Sequence, residues 1–158
     1  MLVRRIEDDI LPTCQRHGMG VLSYSPLTGG WLSGRWRKDS GQQASSRASR
    51  LPERFNLSQP ANQRKLDAVE ALAQLADDTG ITLIQMAIAF VLTHPAITSA
   101  IIGPRTMDQL EGQLAAADVV VEPDMLDRID EIVAPGTTIN PVDNSYDNPA
   151  LAPAARRR

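Results

Sequence analysis

Apolar residues recur with helical spacing in several stretches and gather in short runs between them. Over residues 62–78, Leu66, Val69, Leu72, Ala73 and Leu75 fall on one face, which predicts an amphipathic helix ended by Gly80. Residues 83–93 are apolar on nearly every side, so a deeply buried helix is expected there. Thr82 and Gln85 have capping-box spacing at its start, and Pro95 ends it. Leu126, Ile129 and Ile132 predict a last helix, opened by Pro123 and Asp124 and stopped at Pro135-Gly136. Ile6, Ile10, Leu11 and Cys14 give helical spacing near the start, with Pro12 in the first turn and Gly18 as the stop.

Two runs lack that period. Residues 20–25, Gly-Val-Leu-Ser-Tyr-Ser, and residues 99–102 read as strands, and the second suits a short parallel strand covered on both faces. Polar turns follow both. After the second, Thr106 starts a helix with Gln109 three residues on, again capping-box spacing. A helix N-terminus just beyond a strand offers free N–H groups and a favourable dipole to an anion, and Arg105 stands at that mouth. The same residues also describe a capped helix with a solvated arginine. After the first strand, Pro26 to Arg35 includes Gly29, Gly30 and Gly34, which suits either a backbone cradle for oxyanions or a plain surface loop. Residues 36–59 are polar and arginine-rich without periodicity, as in a functional lid or a disordered segment, with Phe55 and Leu57 pinning the far end. Lys65 is expected on the exposed face of its helix. Residues 119–121 make an extended link, and the tail from Thr137 is expected to be irregular. Short strands separated by helices, with polar turns at the strand ends, are the grammar of parallel α/β folds. The expected organisation is one folded unit over 1–136 and a tail over 137–158.

Composition narrows the functional classes. The chain has 158 residues and a net charge of −3, so nothing draws it to nucleic acid. A single cysteine excludes an internal disulfide framework, and no apolar run reaches membrane-spanning length. With no signal-peptide pattern at the start, the expected location is cytoplasmic. Cys14 reads as packing, and His17 and His94 as helix-end residues; no metal-ligand spacing is present.

Two motifs in order resemble the aldo-keto reductases: Tyr24-Ser25-Pro26-Leu27-Thr28-Gly29-Gly30 with Leu32-Ser33-Gly34-Arg35, and Ile102-Gly103-Pro104-Arg105-Thr106 with Gln109, Leu110 and Gln113. The helix over 85–92 and its Pro95 stop resemble the family too. The resemblance runs from about Arg4 to Val133. It implies part of a (β/α)8 TIM barrel, its last two strands and their helices, since a whole barrel takes roughly 250 residues. It also implies NADP(H) as cofactor, in the reduction of aldehydes and ketones. On that resemblance Tyr24 stacks on the nicotinamide, and Ser25, Leu27 and Gly29 wrap the pyrophosphate. Arg35 and Arg47 match basic phosphate contacts. Gly103, Arg105 and Thr106 match the 2′-phosphate site, and Gln109 and Gln113 the adenosine end.

The family's catalytic Asp, Tyr, Lys and His come from the other part of the barrel, and no such set assembles by motif here. Tyr24 has another role, Tyr146 lies in the tail, and Lys38 sits in the long loop. The expectation is therefore a cofactor-holding half that is inactive alone, completed by an N-terminal barrel half or by self-association. A non-catalytic nucleotide-binding or regulatory module and a truncated gene product are the alternatives.

Overall fold

The core forms where a helix over Pro60–Asp78 (α4) meets one over Leu83–Thr93 (α5) and a last helix over Pro123–Ile132 (α7). In this computed structural model, residues 1–41, 43–144, 149 and 152–155 are described. Val69, Leu72, Leu75 and Met86 are buried at the centre, with Trp31, Leu32 and Ile129 around them. α5 starts with a full capping box: the Thr82 hydroxyl accepts from the Gln85 amide, and Gln85 Oε1 accepts from the Thr82 amide. A short helix over Ile10–Arg16 (α1) carries Pro12 in its first turn, where a missing N–H costs nothing.

The expected strands form over Val21–Tyr24 (β1) and Ile97–Ile101 (β2), and they pair in parallel. Leu22 lies opposite Ser99, and Tyr24 opposite Ile101. α5 packs on the face that includes Ala100. The opposite face is open: Leu22 is 62% exposed and Ile101 52%. The expectation of a strand covered on both faces is thus corrected. Alternate side chains point to opposite faces, and among the described residues only one face is covered.

Two further expectations change. The described residues of 36–59 are built around two short helices, Ser46–Arg50 (α2) and Pro52–Phe55 (α3). Ser45 caps the first, Pro52 opens the second, and Trp31, Trp36 and Phe55 stack together, the two indoles 4.1 Å apart. Arg37 to Glu70 and Lys38 to Asp67, each 2.8 Å, tie the segment to α4. Helices of four and five residues are too short to show a hydrophobic period. Lys65 is fully buried, not exposed. It precedes Ala68, Val69 and Leu72 by three, four and seven residues, so it shares their inward stripe. The packing also continues past 136. Val3 and Thr138 form an antiparallel bridge, Asn140 is buried, and Pro141–Asn144 makes a 3-10 turn.

The first residues are stitched to this C-terminal segment. Arg4 is buried, and its guanidinium donates to Glu7 (2.8 Å), to Asp130 and to the Val133 carbonyl (both 2.6 Å). These carboxylates hold the Arg4 proton more firmly, against a burial cost that opposes it.

Candidate functional site

β1 and β2 end side by side, so the turns that follow them meet at one edge of the sheet. Tyr24, the last residue of β1, is 78% exposed, where a large aromatic would ordinarily be packed. The chain then turns sharply. Ser25 and Thr28 have φ of 55° and 48°, the only non-glycine residues among those described with positive φ. Such strain persists only where surrounding structure enforces it, and it concentrates at functional sites. Gly29 follows at φ 69°. A Cβ there would lie 3.2 Å from Phe55 and 3.4 Å from the Arg47 side chain, so glycine lets both close over the turn.

Tyr24, Ser25, Thr28, Gly29 and Arg47 line one cleft of about 480 Å³ together with Asp143. Many turn donors are already engaged. The amides of Gly30 and Leu32 donate to the Leu27 carbonyl, and that of Thr28 to Ser25. Leu27 therefore closes the turn with its backbone while its side chain packs on the core. Arg35 is exposed beyond the turn and does not line this cleft.

The second turn carries Gly103 and Arg105, both exposed, into a helix over Met107–Leu114 (α6). Thr106 is its N-cap, its hydroxyl accepting from the Gln109 amide at 3.3 Å. The return bond is shifted by one residue, because Gln109 Oε1 accepts from the Arg105 amide at 2.9 Å. That bond fixes the backbone of Arg105 and leaves its guanidinium projecting into solvent. Gln113 is only 7% exposed and faces the fold, apart from its exposed neighbours.

Sequence reasoning missed what lies behind the cleft. Lys65 Nζ donates to Asp143 at 2.7 Å and to the Arg54 carbonyl at 2.8 Å, 4.4 Å from the Trp31 ring centroid. Burial lowers the Lys65 pKa from its ordinary 10.5, and Asp143 opposes that shift. The helical spacing from Lys65 to Val69 and Leu72 is the signal that could have found it.

The cleft offers an aromatic face, the Arg47 side chain and a glycine turn, with Arg105 on the neighbouring turn outside its lining, and this suits a planar ligand bearing phosphates. The sequence model described as the aldo/keto reductase family matches residues 1–134. The chain belongs to that family. It is 30% identical over 132 residues to an uncharacterized oxidoreductase of Bacillus subtilis, covering 84% of this chain and 37% of that protein. It is 33% identical over 135 residues to a probable voltage-gated potassium channel subunit beta of Arabidopsis thaliana, covering 82% of this chain and 40% of that one. Among solved structures, a glycerol dehydrogenase from Gluconobacter oxydans superposes with a TM-score of 0.68 at 26% identity. It spans 89% of this chain and 42% of its own. The chain thus covers about two fifths of the length of these relatives. The family relation supports an α/β fold of TIM-barrel kind, with two parallel strands here. Among the described residues no single helix is long and apolar enough to cross a membrane, and no cluster of His, Cys, Asp and Glu is arranged to hold a metal.

Proposed function

We propose that this chain is the NADP(H)-holding part of an aldo-keto reductase barrel. The observation that carries this reading is the meeting of two turns at one sheet edge. One presents the exposed Tyr24 ring beside the strained Ser25–Thr28 backbone, the other the free guanidinium of Arg105. The residues fit the cofactor: the open Tyr24 face takes the nicotinamide, and the glycine position lets Arg47 close over the pyrophosphate. Arg105, with Gly103 and the Thr106 cap, takes the 2′-phosphate, a bidentate match for guanidinium. Gln109 borders the adenosine end, Gln113 is turned into the fold away from it, and Arg35 stands further out.

When bound, the nicotinamide supplies a hydride. The chain's own work is to hold and orient it. Stacking on Tyr24 fixes the ring plane, and the arginines neutralise phosphate charge. Hydride transfer to a carbonyl also needs a proton donor for the developing alkoxide. Tyr24 is committed to stacking, Lys65 is held by Asp143, and Tyr146 lies outside the described residues. The proton donor and the rest of the substrate pocket are assigned to the remainder of the barrel.

Likeness to probable potassium channel beta subunits favours a second reading, a non-catalytic nucleotide-binding or regulatory module. NADPH titration followed by fluorescence, then NADPH absorbance with a panel of aldehydes and ketones, separates the readings. Saturable binding without turnover, and turnover on adding the N-terminal half of a related reductase, supports the barrel half. Binding with no turnover in the mixture supports the regulatory module. No binding removes both.

A further inference from the structure

The C-terminal segment makes contacts that cofactor holding does not use. Residues 137–144 run from the end of α7 back to the cleft. The Ile139 amide donates to the Leu2 carbonyl at 3.2 Å. Asn140 Nδ2 donates to Asn62 Oδ1 at 2.8 Å and to the Glu53 carbonyl at 3.3 Å. The segment finishes in the turn over Pro141–Asn144, whose Asp143 and Asn144 form part of the cleft wall.

Asp143 is where the segment is fastened. Its carboxylate accepts from Lys65, and both side chains are shut away from solvent, at 6% and 0% exposure. The same ammonium holds the Arg54 carbonyl and lies over Trp31, and the Trp31 indole N–H donates to that carbonyl too. Three separate pieces of cleft wall therefore meet at one cation: the turn leading into Trp31, the end of α3 and the C-terminal segment. A buried ammonium stripped of its carboxylate is strongly unfavourable, so the three pieces move together or not at all.

We infer that Lys65 and Asp143 form a latch that fastens residues 137–144 to the cleft wall, so that the seating of this segment sets the order of Trp31, Arg54 and Phe55. Both are positioning residues; in the reading above neither touches the cofactor. The coupling to ligand rests on that reading, whereas the latch itself does not.

The test compares the full chain with Asp143→Asn and Lys65→Met by amide hydrogen exchange and tryptophan emission. The chain has two tryptophans, and both belong to this stack, so emission reports on it directly. The Ile139, Val142 and Asp143 amides are expected to exchange at least about tenfold faster in each variant, with α5 unchanged. Tryptophan emission is expected to shift to the red. Unchanged exchange at those amides in Asp143→Asn, or faster exchange with unaltered emission, overturns the latch. Should Lys65→Met fail to fold, Asp143→Asn decides alone, because it keeps Lys65. NADPH affinity is expected to fall at least about fivefold in Asp143→Asn, through loss of wall order. A loosened segment with unchanged NADPH affinity overturns the link to the cleft. Absence of NADPH binding by the wild-type chain removes the cofactor reading and leaves the latch to exchange and emission.

Discussion

Tyr24 and Ile101 lie opposite each other at the last paired position of the two strands, and both are mostly open to solvent. Because the strands are parallel, this pairing brings two turns far apart in sequence to a single edge. Parallel pairing requires a long crossover, and here α4 and α5 provide it. The glycine turn and the Arg105 turn thereby leave the sheet from the same end, although only the first lines the cleft.

Arg105 should discriminate between the two nicotinamide cofactors. Its backbone is fixed by Gln109 and its side chain is exposed, so Arg105→Ala leaves the turn intact. Only NADPH carries the extra phosphate. A charge-assisted contact is worth about 1.5–3 kcal/mol, so NADPH affinity should drop by roughly 10- to 100-fold and NADH affinity hardly at all. Fluorescence titration with both cofactors checks this, and equal losses remove Arg105 from the 2′-phosphate site.

The open sheet face should drive association of the isolated chain. Leu22, Tyr24 and Ile101 present apolar surface on two strands whose outer edges have no partner strand among the described residues. Light scattering should find oligomers or aggregates, reduced in Ile101→Lys, which places a charge on that face. A wild-type chain that stays monomeric at high concentration counts against an incomplete barrel.

The loop that the sequence suggests as a lid should behave as an anchored part of the fold, in a pH-dependent way. The Glu70 carboxylate accepts from the Lys38 amide and from Arg37, and these hold its pKa below the ordinary 4.5. A depressed acid contributes stability above its unfolded value and loses it as pH falls through its folded value. The melting temperature of Glu70→Gln should therefore lie below wild type near neutral pH. The gap should be constant above about pH 6 and narrow as pH drops below about 4.5. A gap that ignores pH would show that this carboxylate does not anchor the loop.

Much of this architecture is legible in the sequence, and the reasons are local. The capping box at Thr82 and the N-cap at Thr106 are read from spacing, because a helix start is decided by a few adjacent residues. The parallel strands are read from runs flanked by glycine and proline. Lys65 escapes because its polar end signals solvent while its place on the α4 stripe points inward, and only the distant Asp143 and Trp31 resolve the conflict. The short helices α2 and α3 escape because their stability comes from an aromatic stack and ion pairs to α4. The cleft itself is assembled from Tyr24, Arg47 and Asp143, which no local pattern links. The exposure of Leu22 and Ile101 has no local signal, since apolar strand residues ordinarily announce a covered face; it follows only from reading the chain as part of a barrel.

The central claim is that the two strand-end turns form one cofactor site. Amide resonances of the full chain recorded during NADPH titration test it most directly. The account predicts saturable shifts at Tyr24, Ser25, Thr28 and Gly29, at Arg47, and at Gly103, Arg105 and Thr106, lost together in Tyr24→Ala. Shifts confined to one turn, shifts centred elsewhere, or none at saturating NADPH would contradict it.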